Sequence, residues 1–318
     1  MKFETLSEKD RYDALCEMAN LYYNQGKTKM EIATDFGITR FKVATLLQEA
    51  KEKQIVNIKI NYQNLRNKDM EISLMQHFPL KKAVVVNTQF SPYLDGLKQL
   101  GQAAATYMDK VLTPNSVIGV MWGKSLQSVI HHLPQKANNP VTAIQLAGLL
   151  SLNNSSLQAE VLIRSIGNAY FGPCYFLNAP LYINNLKTKA ALLSEPTIVE
   201  TLEKAKTMTV ALTGIGGETS LPFFKPQFAP YLTNEDKKAA DNCIGSIFGY
   251  LLAKDGSLAD IPLDKKIFGV PGDTIFAVPR RIAVVYGKHK TKVTSMVLQH
   301  KYINELITDA DTARTLLE

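Results

Sequence analysis

Over the first fifty residues the apolar positions recur every three or four residues. Leu15, Met18, Ala19 and Tyr22 share one face of a helix that stops at Gly26, a natural C-cap. Thr28-Lys29-Met30-Glu31 reads as a capping box, in which hydroxyl and carboxylate satisfy each other's backbone amides, so a second helix starts there. Asp35-Phe36-Gly37-Ile38 places a glycine where the chain turns sharply, Thr39 offers a new N-cap oxygen, and a third helix is predicted from Arg40 to about Lys53. Val56, Ile58 and Ile60 then alternate with polar residues, the pattern of a half-buried strand.

Residues 61–80 are polar at first and then carry Met70, Ile72, Met75 and Phe78, which predicts a linker and a connecting helix. From Lys82 the pattern changes. Short continuous apolar runs (83–86, 117–121, 144–146, 208–213, 282–285, 305–308) are interleaved with helical stretches at 101–108, 126–132, 159–170 and 293–298, and Ile244 to Leu252 continues the series. Continuous apolar strands between helices indicate a parallel sheet covered on both faces, the α/β class. The expected organisation is therefore a small helical domain over 1–60, a linker and helix over 61–80, and a large α/β domain over 81–318.

Composition adds limits. With 46% hydrophobic and 20% charged residues the chain has the balance of a folded protein. Its apolar runs all fall short of a membrane span and residues 1–10 lack a secretory signal, so a cytoplasmic protein is expected. Cys16, Cys174 and Cys243 stand far apart and His77, His131, His132, His289 and His300 lack ligand spacing, so no metal or cofactor is expected. The formal charge of +7 permits a polyanionic partner without demanding one.

Four features carry chemistry. Within 28–47, Ala33, Gly37, Val43 and Leu46 occupy the offsets of a helix-turn-helix, with Ile32 and Leu47 completing the buried side. Arg40, Phe41, Lys42 and Thr45 then fall on the exposed start of a recognition helix, with Thr28 and Thr39 at the two helix starts, so these six are candidate contacts to double-stranded DNA. Second, an apolar strand runs into Gly123-Lys124-Ser125-Leu126 at a helix start, an anion site made of backbone amides and a lysine. A nucleotide-binding P-loop would need glycine at Ile118, and bulky Met121 and Trp122 fill the part that should wrap phosphates. Third, Gly214 and Gly216 follow an apolar strand, but Thr219 stands where a dinucleotide fingerprint needs glycine. Fourth, Gln145 with Gly148 and Gly287 to Lys290 lie where strands end, the edge at which open α/β sheets bind ligands.

Taken in order, Lys29 to Ile60, Ile118 to Leu126, Ala179-Pro180-Leu181-Tyr182, Ala211 to Gly216, Ile244-Gly245 with Asp255-Gly256, Val278-Pro279-Arg280, Gly287 to Lys290 and Leu306 to Ala313 resemble the SorC family of bacterial sugar-responsive transcriptional regulators across almost the whole chain. The resemblance implies an N-terminal winged-helix-type DNA-binding domain, and a Rossmann-like α/β effector domain related to sugar-phosphate isomerases. It implies operator DNA, a sugar or sugar-phosphate effector, and a homo-oligomer, dimer or tetramer, as partners. By position, Gly123-Lys124-Ser125 matches the family's phosphate turn and Lys290 its lysine near the ligand. One departure stands out: Gly245-Ser246 replaces the family's usual Gly-Asp, so a carboxylate expected to hold sugar hydroxyls is missing, with Asp241 or Asn242 as possible substitutes. The expected function is a regulator of a carbohydrate-utilisation operon without catalytic residues; the alternative is a sugar-phosphate enzyme with a DNA-binding appendage.

Overall fold

A computed structural model describes residues 7–56, 66–88, 91–150 and 159–318. The chain divides into two compact units, 1–63 and 64–318.

The first unit contains α1 (Glu8–Tyr23), α2 (Lys29–Phe36) and α3 (Arg40–Glu52) around a core of Leu15, Met18, Ile32, Val43, Leu46 and Leu47. The starts of α2 and α3 are capped as the sequence predicts, by the Thr28–Glu31 capping box and by Thr39, and Ser7 caps α1. Between α2 and α3, Gly37 adopts φ 62°, a left-handed conformation that costs other L-residues about 1–2 kcal/mol, so the turn depends on glycine. A forked ion pair from Arg11 to Glu49 at 2.6 and 3.1 Å ties α1 to α3. The strand expected from Val56 onward lies outside the described residues.

The second unit contains α4 (Lys68–His77), β1 (Lys82–Val86), α5 (Tyr93–Val111), β2 (Val117–Val120), α6 (Lys124–His131), β3 (Thr142–Gln145), α7 (Ala159–Tyr170) and β4 (Cys174–Tyr175). It continues through α8 (Leu186–Leu193), α9 (Pro196–Ala205), β5 (Val210–Thr213), β6 (Ile215–Gly217), α10 (Asn234–Ala239), β7 (Cys243–Ile247) and β8 (Tyr250–Ala253). The remaining elements are α11 (Gly272–Phe276), β9 (Arg280–Val285), α12 (Thr291–Gln299), β10 (Glu305–Asp309) and α13 (Ala310–Leu317). Seven strands form one parallel sheet in the order β1-β10-β9-β5-β2-β3-β4. Every residue of β2, β3, β5 and β10 is buried, as in sheets covered on both faces. From β2 the chain winds outward to β3 and β4, whereas from β5 it winds the other way to β9 and β10. The switch in direction therefore lies between β2 and β5, where a crevice opens at the strands' C-terminal ends.

Helix α4 belongs to this unit: Leu74 is buried in its core, and Arg66 forks onto buried Glu71, which also accepts from the Val85 amide. The run Ile244 to Leu252, which stands where alternation would place a helix, is instead an antiparallel hairpin of β7 and β8. It turns at Phe248 and Gly249, at φ 50° and 86°, and β6 pairs beside β7 to complete a three-stranded sheet. A short apolar run does not by itself distinguish strand from helix. Among the described residues no helix is long and apolar enough to cross a membrane, and no cluster of side chains could hold a metal ion.

Candidate functional site

A cavity of about 330 Å³ occupies the crevice where β2 and β5 diverge. At the end of β2 the chain passes through Met121, Trp122 and Gly123 into α6. Gly123 sits at φ 130°, open space surrounds the position a Cβ would take, and it offers no side chain to cap the first turn of α6. The leading amides of α6 are thus left to the cavity, with the positive end of the helix dipole behind them. Lys124, Ser125 and Leu126 line the same wall.

Across the opening, β9 ends in Gly287, whose amide donates to Asp309 at 2.8 Å, and a single helical turn over Lys288–Lys290 brings Lys290 and His289 to the cavity. Burial pushes the Lys290 ammonium below the usual lysine range, and the charge of Lys124 pushes it further down. Lys225 adds a third ammonium to the lining. Among the described residues no Asp or Glu lines this cavity. Positive charge without a counter-ion, beside free helix amides, is what an anion site requires.

The end of β5 contributes Gly214, with the Thr213 hydroxyl donating to its carbonyl at 2.9 Å. The chain then enters β6, where Gly216 stands opposite Ser246 of β7, and all three residues line the cavity. A side chain at 216 would collide with Ser246 and Ser220, which keeps this wall backbone-thin. Leu150, Leu181, Tyr182 and Phe228 form an apolar wall, with Tyr182 and Phe228 meeting edge to face at 5.4 Å.

Eight of the ten expected ligand residues therefore converge: Gly123, Lys124, Ser125, Leu126, Gly214, Gly216, Ser246 and Lys290. Gln145 and Gly148 lie elsewhere. Gln145 is fully buried, donating to the Ala147 carbonyl at 2.7 Å and accepting from the Leu177 amide at 3.3 Å, so its polarity ties two chain segments together. Gly148 is pressed against the Ala179 and Pro180 carbonyls, leaving no room for a Cβ. Asp241 and Asn242 are exposed in a single helical turn and do not line the cavity, so neither replaces the carboxylate absent at Ser246. Trp122, Lys225 and Phe228 line it without having been expected. Trp122, two residues past β2, enters the sequence reading only as bulk against a P-loop, and Lys225 and Phe228 lie between and within short single turns without periodicity.

In the three-helix unit, Arg40, Phe41 and Thr45 are exposed on the N-terminal half of α3, Phe41 to 73%, with the Arg40 guanidinium over the Phe41 ring at 5.1 Å. Lys42 is half-buried at the same end. The three threonine hydroxyls are engaged internally: Thr28 in the capping box, Thr39 accepting from the Lys42 amide, and Thr45 donating to the Phe41 carbonyl at 3.1 Å.

A parallel sheet with a basic crevice at its switch point, free of carboxylates among the described residues, has the form in which open α/β domains bind ligands. The family described as "Putative sugar-binding domain" matches residues 62–318. The sorbitol operon regulator of Klebsiella pneumoniae is 27% identical, over 98% of this chain and all of that protein. A deoxyribonucleoside regulator of Bacillus subtilis is 25% identical over 98% and 99% of the two chains, and the transcriptional regulator LsrR of Escherichia coli O157:H7 is 23% identical over 96% and 94%. The crystal structure of the full-length Klebsiella regulator superposes with a TM-score of 0.71 at 26% identity, covering 97% of this chain and 100% of that one. The chain belongs to the SorC family of sugar-responsive transcriptional regulators.

Proposed function

We propose that this regulator senses a sugar phosphate at the cavity between β2 and β5, and that binding there changes its affinity for operator DNA held by α3. The observation that carries the effector reading is the meeting of Lys124 and Lys290 beside the open N-terminus of α6 with no carboxylate among the described residues of the lining. The names of the sorbitol operon and deoxyribonucleoside regulators support a carbohydrate-derived ligand, and a dianionic phosphate answers the positive charge better than a neutral sugar does. Sensing is favoured over catalysis, because the full-length relatives are named as regulators, and among the described residues of the lining His289 has no carboxylate beside it to complete an acid/base pair.

For DNA, α2 and α3 with the Gly37 turn are read as a helix-turn-helix, with Arg40, Phe41, Lys42 and Thr45 as the leading face of the recognition helix and Thr28 and Thr39 near the backbone. One such helix covers about half a turn of major groove, so an oligomer presenting at least two copies is part of the reading. The test is DNA binding to the chain's own upstream region at several salt concentrations. Arg40→Ala should weaken binding by about 1–3 kcal/mol if it reads guanine, and Lys42→Ala should lower the salt slope by about 1 if it contacts phosphate. Parent-like binding by both variants would remove α3 from the interface.

A further inference from the structure

We infer that Phe41 is a specificity-determining residue that reads the methyl group of a thymine in the major groove, at or beside the base pair met by Arg40. This rests on the reading of α3 as a recognition helix and deepens it, by naming the chemistry of one base in each half-site.

Val43, Leu46, Leu47 and Ala50 turn the apolar face of α3 into the core of the three-helix unit. Residues 41, 45 and 48, spaced at i, i+4 and i+7, form an exposed strip on the other side. Thr45 and Gln48 are polar and already engaged within the helix, the Thr45 hydroxyl on the Phe41 carbonyl at 3.1 Å and the Gln48 amide on Glu52 at 3.2 Å. Ala44, beside them, is small and half-buried, so the helix can approach a partner closely. Phe41 is the large apolar side chain of the strip. At 73% exposure it stands further into water than Tyr12 or Met30, the other large apolar side chains exposed in the described part of this unit. Its ring would gain from an apolar partner that displaces that water.

The surroundings select the partner. Arg40 and Lys42 flank Phe41, and the first turn of α3 contains no acidic residue, although the positive end of a helix dipole favours acids there and disfavours cations. That arrangement opposes the helix and suits a polyanion, so an apolar protein surface is the poorer match for this end of α3. On the base edges of the major groove the apolar group is the thymine methyl, and phenylalanine is one of the side chains that meet it. The Arg40 guanidinium lies 5.1 Å from the ring centroid, less than two base-pair steps of about 3.4 Å. The two side chains therefore address the same base pair or adjacent ones.

The experiment is in vitro selection of random duplexes by the full-length parent, Phe41→Ala and Phe41→Leu. Fluorescence anisotropy then follows on the parent's selected duplex with each thymine in turn replaced by uracil, which removes the methyl and keeps the base pair. The parent should select a thymine in each half-site, and uracil there should weaken binding about fourfold, the order expected for one buried carbon. Phe41→Ala should lose the preference at that position and bind the thymine and uracil duplexes alike. Phe41→Leu should keep most of the difference, and because the residue is exposed both variants should unfold at the parent's midpoint. A selected site in which no methyl matters to the parent would overturn the inference and leave α3 on the DNA. A methyl effect that persists in Phe41→Ala would also overturn it, passing the contact to Ala44 or Thr45. A smaller particle in light scattering for Phe41→Ala, with no methyl effect in the parent, would assign the ring to a contact between copies instead. Failure of the parent to enrich any sequence would overturn the DNA reading of α3 itself, and this inference with it.

Discussion

Replacing Lys290 by methionine should strengthen the empty protein and weaken the occupied one. In the unliganded state its ammonium is partly buried, is held below its ordinary pKa by that burial and by Lys124, and faces no carboxylate in the described lining. Methionine keeps much of the unbranched stem and removes the charge, so the unliganded midpoint should rise. With a phosphate present the variant loses one charge-assisted hydrogen bond, about 1.5–3 kcal/mol, or roughly 10- to 150-fold in Kd. At a ligand concentration of about 100 Kd the parent gains about 2.7 kcal/mol; a variant weakened about 30-fold sees only about 3 Kd and gains about 0.9 kcal/mol. For a domain of this size that corresponds to a midpoint shift falling from about 5–11 °C to about 2–4 °C. Thermal unfolding of parent and variant, each with and without the phosphoester, measures both effects. A variant that is less stable when empty and just as strongly stabilised by the ligand would refute the placement of an anion against Lys290.

Burial pushes the Asp264 carboxyl up to about 7 against a partly compensating hydrogen bond from the Ile261 amide, with the charges of Asp236 and Asp260 adding to the rise. The folded chain then holds a proton that the unfolded chain releases near pH 4, so stability should fall as pH rises from about 4 to 7, by up to about 1.4 kcal/mol per unit. Urea unfolding between pH 5 and 8 should show a shallower decline in Asp264→Asn; an identical slope would mean that Asp264 does not titrate in this range. Gly37→Ala should cost about 1–2 kcal/mol, because alanine must take the left-handed turn conformation, and an unchanged urea midpoint would show the turn can relax. Light scattering should give a mass of at least twice the 35.3 kDa chain; a single-chain mass with and without DNA would exclude the dimeric mode of recognition.

The three helices were legible because their boundaries are set locally: Thr28, Glu31, Gly37 and Thr39 each fix a few backbone groups nearby. The glycine-lysine turn on the cavity wall was legible for a related reason, since a strand running into Gly123-Lys124-Ser125 is a continuous piece of chain. Gly216 and Ser246 could be nominated separately, but only the register of β6 on β7 puts them opposite each other. Gln145 misled because a polar residue at a strand end can serve the ligand or tie the backbone, and here it bridges Ala147 and Leu177. The hairpin over 244–252 was hidden because its apolar run fits either period. The apolar wall from Leu181, Tyr182 and Phe228 is assembled by loops distant in sequence, and no spacing along the chain records that assembly.

The most direct test of the whole account is the affinity for upstream DNA, measured by fluorescence anisotropy at fixed salt, for the parent and Lys290→Met with and without a saturating phosphoester. A ligand can shift that affinity only through contacts that differ between the two states, and couplings of this kind are typically 5- to 150-fold. The parent should shift by a factor in that range. Lys290→Met, binding DNA like the parent when empty, should shift little at the same ligand concentration. An equal shift in both proteins, or none in the parent with the phosphoester bound, would contradict the claim that an anion at this cavity controls the regulator.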